Sequence, residues 1–207
     1  MAKPKTDYSV NQKIVYPSQG VGKIEEIFKK EFNGEQVWYY KIYLAVSEMY
    51  VMVPVSKAAD IGIRPIVSAK EAKEALEFLA EDFEQPTSDW KQRYQDNLQL
   101  LKQGTIKDIA AIVRCLYKRS KIKELPILER KLYDNAKKLL EDEIADALEI
   151  SSKEVEVMLH TKLEPIGAVT EKKTVNAFND DDDDDEYAED ENDSSEDDDD
   201  SDDDGDD

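Results

Sequence analysis

The sequence predicts an α+β protein: a small N-terminal β-barrel over residues 1–67, a compact five-helix domain over 68–164, and a linker with a disordered acidic tail over 165–207. Three observations predict it. Short β-rich runs broken by turn residues fill the first third of the chain. Apolar positions then recur at helical spacing. Finally, residues 180–207 carry 21 Asp or Glu and no Lys or Arg.

The strands come first. Lys13-Ile14-Val15-Tyr16 is a β-rich run ended by Pro17 and the turn residues Ser18-Gln19-Gly20-Val21-Gly22. A second run spans Lys23 to Phe28, with Ile24 and Ile27 apolar. Asn33-Gly34 is the strongest short hairpin signal, because both residues tolerate positive φ. Val37-Trp38-Tyr39-Tyr40-Lys41-Ile42-Tyr43-Leu44 is aromatic and β-branched, with high strand propensity. Tyr50-Val51-Met52-Val53-Pro54-Val55 comes next, with Pro54 near its end where a lost N–H is tolerable. Ile61-Gly62-Ile63-Arg64-Pro65-Ile66 closes the set. Five short strands joined by tight turns suggest a closed or half-closed barrel of the SH3 or Tudor type. So small a core is expected to lean on the helices beyond it.

From Ser68 the period becomes helical. Ser68 and Glu71, Thr105 and Asp108, and Ser151 and Glu154 each place a hydroxyl three residues before a carboxylate. The hydroxyl accepts a free N–H of the first turn, and the carboxylate sits at the positive end of the helix. Ser88 or Asp89 fits as the N-cap of the helix holding Trp90, after the break at Gln85-Pro86-Thr87. Pro126 fits the first turn of another, where its missing N–H costs nothing. Apolar residues recur at Leu98 and Leu101; at Ile109, Ile112, Val113 and Leu116; at Leu128, Leu132, Leu139 and Ile144; and at Val155 and Leu159. Beyond Asn179 the chain has too little apolar surface to order itself.

Charge and composition remove whole classes of function. The net charge is −21, yet residues 1–179 carry 28 side chains of each sign, so the acidity belongs to the tail. A single cysteine, Cys115, excludes an internal disulfide framework and points to a reducing compartment; its place between Ile112 and Leu116 reads as core. A single histidine, His160, leaves no His/Cys metal cluster and no nucleophile–His pair with a spare partner, and reads as a surface or packing residue. The basic start Met1-Ala2-Lys3-Pro4-Lys5 is followed by no apolar segment, so no signal peptide is expected. No apolar run approaches the ~20 residues that span a bilayer, so the expectation is a soluble, cytoplasmic monomer with no membrane partner. Gly20-Val21-Gly22 is too short for a phosphate loop, and the Asp-rich tail lacks the Gly and terminal Glu of a calcium loop. No catalytic residue, cofactor or metal is expected. The chain reads as a binding protein.

Its candidate binding chemistry is basic and aromatic. Residues 91–138 hold 13 basic and 5 acidic side chains inside an otherwise acidic protein. Such a block either solvates a helical face or marks a polyanion site. Ser88-Asp89-Trp90-Lys91-Gln92-Arg93-Tyr94 puts a tryptophan in a first helical turn beside two cations. Lys and Arg suit phosphates, and a large ring can wedge against an unstacked base pair. The competing reading is structural: Trp90, Tyr94, Leu98 and Leu101 fall at i, i+4, i+8, i+11, so Trp90 can also cap a buried stripe. The cluster Arg114, Lys118, Arg119, Lys121 and Lys123 is equally two-sided, since helix C-termini favour cations.

These residues resemble the CarD/CdnL family of bacterial transcription regulators, which share a polymerase-interaction domain with the transcription-repair coupling factor. The matching stretches are residues 15–22 (VYPSQGVG), Val53-Pro54-Val55, Ile61-Gly62-Ile63-Arg64, Trp90-Lys91-Gln92-Arg93-Tyr94, and residues 139–150 (LLEDEIADALEI). The resemblance covers about residues 8–164 and leaves out the acidic tail. It implies a Tudor-like barrel docked on the RNA polymerase β subunit through an edge strand, with Lys30 and Tyr50, Val51, Met52, Val53 and Pro54 as contacts. Met52 stands where some members have arginine, and pairing through the main chain survives that change. The helical domain is implied to touch promoter DNA at the upstream fork through Trp90, Lys91, Arg93, Lys118, Arg119 and Arg130. Trp90 would hold the open complex there, associating the protein with the nucleoid through polymerase. Two other classes stay open: a polymerase-binding scaffold or acidic-tailed interaction protein without direct DNA action, and a partner of the repair coupling machinery acting in elongation. The tail has two readings as well, a polyanion that competes with DNA and a solubilising segment.

Overall fold

The computed structural model describes residues 6–32, 34–81 and 87–164. The described residues fall within one compact unit. The tail and the Gln85-Pro86 break lie outside the described residues, as does Asn33.

Five antiparallel strands make one sheet: β1 (Lys13–Tyr16), β2 (Gly20–Phe32), β3 (Glu35–Leu44), β4 (Met49–Pro54) and β5 (Arg64–Pro65), in the order β4-β3-β2-β1-β5. The two outer strands do not pair with each other among the described residues, so of the closed or half-closed forms the sequence suggests, a fully closed ladder is not formed there. β2 runs four residues past the expected Phe28, because its far half pairs with β3 alone, down to Phe32 opposite Glu35. Gly34 turns that hairpin at φ +82°. A register shift between Ile24 and Glu26 bulges Glu25 out of the ladder. The last expected strand is shorter than Ile61–Ile66. Ala58–Ile61 forms a one-turn helix, α1, which Gly62 ends at φ +86°, leaving Arg64 and Pro65 to pair with β1. One sheet face buries Ile14, Ile24, Tyr40, Ile42, Leu44 and Val53 with Ala58 and Ile63.

Five further helices complete the unit: α2 (Ala69–Ala80), α3 (Trp90–Gln103), α4 (Ile106–Ser120), α5 (Ile127–Leu148) and α6 (Ser152–Leu163). Their starts obey local chemistry. Ser68 and Ser151 form full capping boxes with Glu71 and Glu154, and Thr105 accepts the Asp108 N–H at 3.2 Å. Pro126 stands one place earlier than expected, as the N-cap of α5. A second core gathers Leu76, Leu79, Ile112, Leu116, Leu140, Ile144 and Leu159. Leu128 is exposed and does not join it, while the neighbouring Glu129 is fully buried.

Sheet and helices meet along a seam. Gly20, at φ +87°, lies so close to α5 that a Cβ there would stand 2.8 Å from Leu139 Cδ2. Arg64 donates from Nε and Nη2 to the Gly104 carbonyl at 3.1 and 2.8 Å, and from Nη1 and Nη2 to both carboxylate oxygens of Glu143. Gly104 ends α3 in the left-handed conformation, φ +69°. Lys13 reaches Asp146 at 2.5 Å beside it.

Candidate functional site

α3 begins at Trp90 because Asp89 caps it. The Asp89 carboxylate accepts the N–H of Lys91 at 2.9 Å and of Gln92 at 3.3 Å. The indole is 37% exposed, and Lys91 Nζ lies 6.0 Å from its ring centroid. Along the stripe Trp90, Tyr94, Leu98, Leu101 burial rises from the first residue to the last: Trp90 is exposed, Tyr94 and Leu98 are half-buried against the helical core, and Leu101 is buried. The inner line of α3 is Arg93, Asn97, Leu101, at i, i+4, i+8.

Arg93, expected at the DNA-facing surface, lies in the interior of the helical domain. It is 3% exposed, and its Nε and Nη2 donate to Glu129 Oε1 and Oε2 at 2.8 and 2.6 Å. Its Nη1 donates to the carbonyls of Thr87 at 2.5 Å and Ser88 at 3.4 Å. Four of its five N–H donors are bonded inside the protein, and burial keeps the guanidinium away from a phosphate at the surface. Glu129, the fully buried partner, lies in the first turn of α5, where a carboxylate also meets the positive end of the helix. Sequence reasoning misses Glu129 because helical spacing says nothing about residues 36 apart. The visible signal is a carboxylate in the first turn of a helix beginning at a proline.

Arg114 leaves the basic cluster for a related reason. It is buried, with its guanidinium 3.8 Å from the Phe78 ring centroid and Nη1 donating to the Phe78 carbonyl at 2.9 Å. Burial pulls it below the usual arginine range. The remaining cations face outward. Lys118 and Arg119 are half-buried in the last turn of α4, and Lys123 is exposed in the loop to α5. Lys121 pairs with Glu164, which holds its ammonium above the usual lysine range. Arg130 reaches Glu124 at 2.5 Å across exposed surface, a contact of little energetic weight. Arg93 ties the start of α3 to the start of α5, and α4 runs into α5 through the loop 121–126. Trp90, Lys91, Arg119, Lys123 and Arg130 thus gather at one end of the helices.

The second candidate surface is the sheet edge. β4 pairs only with β3, so one side of its main chain has no strand neighbour among the described residues. Tyr50 and Met52 are more than half exposed, Val51 and Pro54 are half-buried, and Val53 points into the core. Val53 can therefore offer a partner only main-chain groups. Register places Tyr50 opposite Tyr43, Met52 opposite Lys41 and Pro54 opposite Tyr39. Tyr39 pairs in turn with Phe28, and Lys30 with Val37, so exposed Lys30 shares a sheet face with Tyr50 and Met52. Lys41 Nζ lies 4.5 Å from the Tyr50 ring centroid, and the Tyr43 ring 5.1 Å away. The Glu25 carboxylate pushes the Tyr50 phenol above its ordinary range.

Neither of the other singled-out residues adds reactive chemistry. Cys115 is buried and its thiol is pushed up by that burial. His160 is exposed, 3.8 Å from Glu164 and edge-on to Tyr117. No group of three His, Cys, Asp or Glu suited to a metal, and no helix long and apolar enough to cross a membrane, is found among the described residues.

Comparison with known proteins covers both parts. Residues 8–67 match the model of the CarD-like/TRCF RID domain, and residues 74–160 that of the CarD C-terminal domain. The chain is 35% identical over 148 residues to "Putative transcription factor YdeB" of Bacillus subtilis (strain 168), spanning 72% of this chain and 97% of that protein. The solution NMR structure of the 72-residue N-terminal domain of Myxococcus xanthus CarD is 30% identical and covers 31% of this chain and 92% of that one, with a TM-score of 0.25. With one family domain on the sheet and another on the helices, the chain belongs to the CarD family and has a role in transcription.

Proposed function

We propose that this protein docks on the β subunit of bacterial RNA polymerase through β4 and stabilises the promoter open complex by placing Trp90 at the upstream fork. The observation that carries the reading is an exposed tryptophan on the first turn of a capped helix, with Lys91, Arg119, Lys123 and Arg130 at the same end of the helices. An indole that keeps 37% of its surface open at the start of a helix suits a site that exists only when a base pair is unstacked. Lys118 flanks the set. These side chains act as non-specific phosphate contacts, so binding to free DNA is weak and falls steeply with salt. The open edge of β4, with Tyr50 and Met52 beside Lys30, supplies strand addition and a mixed aromatic–cationic face to the polymerase. Tethering there raises the effective concentration of Trp90 at the fork.

The action is differential binding: a factor shifts the closed–open equilibrium only by its affinity difference between the two states. One stacked ring is worth about 1–3 kcal/mol, roughly 5- to 150-fold in open-complex lifetime. The test is the lifetime of the open complex after trapping free polymerase. Trp90→Ala is expected to shorten it within that range while polymerase affinity stays unchanged. Tyr50→Ala with Met52→Ala is expected to weaken polymerase binding instead. An unaltered lifetime in Trp90→Ala, with polymerase still bound, would sink the wedge and leave a polymerase-binding scaffold.

A further inference from the structure

We infer that Arg93 and Glu129 are positioning residues for Trp90: the buried pair fixes the first turn of α3 in the orientation in which the indole meets its ligand. This inference rests on the wedge reading above. Trp90 is the first residue of α3, in a turn whose N–H groups find no intrahelical partner and rely on the Asp89 cap. Its lead-in is held by one side chain. Arg93 Nη1 donates to the carbonyls of Thr87 and Ser88, the two residues before the N-cap, while the Arg93 N–H donates to the Asp89 carbonyl at 3.1 Å. The other side of the guanidinium is locked to both oxygens of Glu129 on α5. The segment from Thr87 to Trp90 is thereby fixed to a second helix and not only to its own.

The energetics favour a geometric role. Desolvating two charges offsets most of their attraction, and apolar residues of similar volume often replace such pairs without loss of stability. A planar fork with five donors instead fixes direction, which two apolar side chains do not. A wedge requires its direction to be fixed. The pair lies in a polar seam with Asn97, whose Nδ2 stands 3.9 Å from Cys115 Sγ, so α3 is held by directed contacts along this face.

The test is a double-substitution cycle. Arg93→Met with Glu129→Met removes both charges and keeps the volume, and this variant is expected to fold and to bind polymerase as the parent does. Open-complex lifetime is expected to fall toward that of Trp90→Ala. Adding Trp90→Ala is expected to lower it no further than about twofold, because the pair acts through the ring. The slope of fork-DNA affinity against salt is expected to stay unchanged. A parental lifetime in the folded double variant would overturn the inference. So would a full further loss on adding Trp90→Ala, or a slope reduced by about one, the mark of a lost phosphate contact.

A second variant covers failure to fold. Arg93→Lys keeps the charge but reaches Glu129 and both carbonyls no longer. With Trp38→Phe removing the other indole, the fluorescence anisotropy of Trp90 is expected to decay faster in Arg93→Lys, and an unchanged decay overturns the clamp. Because anisotropy needs neither polymerase nor DNA, it separates failure of the clamp from failure of the wedge, which Trp90→Ala tests directly.

Discussion

Arg93 and Arg64 hold opposite ends of α3, and the contrast between them separates two uses of one device. Each guanidinium grips a carboxylate of α5 and a main-chain carbonyl next to α3: Glu129 with Thr87 and Ser88 at the start, Glu143 with Gly104 at the end. Arg93 belongs to α3 itself and is 3% exposed, whereas Arg64 comes from β5 and its side chain is 24% exposed. The first contact orders a helix end that carries an exposed ring. The second ties the sheet to the helices. Burial of a charge pair makes the loss of one partner far more costly than the net worth of the pair, and only the first pair is fully buried.

That contrast sets the order of expected effects. The largest is Glu129→Leu, which strands Arg93 in the interior and is expected to cost about 3–5 kcal/mol in denaturant unfolding. If the Arg93→Met, Glu129→Met variant lost as much as Glu129→Leu, the pair would be a source of stability, and the contrast would collapse. Arg64→Met comes next. It leaves Glu143 with the Val67 N–H at 3.4 Å and removes both side-chain donors to Gly104. The Arg64 side chain is 24% exposed, so its removal opens Glu143 toward solvent and the expected loss is smaller, about 2–3 kcal/mol. A loss equal to that of Glu129→Leu would show that the partial exposure of Arg64 gives the buried Glu143 no relief.

The local half of this architecture is legible in the sequence and the rest is concealed there. Ser68, Thr105 and Ser151 announce their helices because a cap needs only residues three apart. Pairing of Val37–Leu44 with its neighbours is readable from β-branched and aromatic density, and the glycine of Asn-Gly turns the hairpin. Trp90 stands out for its company of cations. Spacing also offers it a buried stripe, and the structure leaves Trp90 at that stripe's exposed end, with Tyr94 and Leu98 half-buried on the core and Arg93 and Asn97 on the innermost line. No periodic rule places an arginine there. The choice is made 36 residues away by Glu129, and the same choice turns Leu128 outward. The one-turn helix α1 is hidden by the apolar run Ile61–Ile66, in which Gly62 acts as a C-cap rather than as a strand residue.

Gly20 sharpens the contrast from the sheet side, at smaller magnitude. Gly20→Ala combines a positive φ with a Cβ placed 2.8 Å from Leu139 Cδ2. The leucine end can swing away, so the backbone sets the cost, about 1–2 kcal/mol. Because Gly20 lies on the same seam as Arg64, Gly20→Ala and Arg64→Met are expected to deviate from additivity, by about 0.5 kcal/mol or more in a double-mutant cycle. Strict additivity would mean that the seam consists of independent contacts.

The smallest effect concerns an α5 carboxylate that no arginine grips. Glu141 is nearly buried, and desolvation raises its pKa above the ordinary glutamate range against the opposing pull of Lys137. Lys137 Nζ stands 3.4 Å from Glu141 Oε1 but 2.9 Å from Glu156, so its stronger bond lies elsewhere. A carboxyl whose folded pKa is raised holds its proton more tightly in the folded state. Its ionised form then lowers stability at every pH above the folded value, and the penalty disappears as pH falls below the unfolded one. Glu141→Gln keeps the shape without the charge, and Glu156 still engages Lys137. The variant is expected to be more stable at pH 7, by no more than about 1 kcal/mol, with the gain vanishing as the medium is acidified through the carboxyl range. A variant less stable than the parent at pH 7 would mean that Lys137 holds Glu141 as firmly as Arg93 holds Glu129.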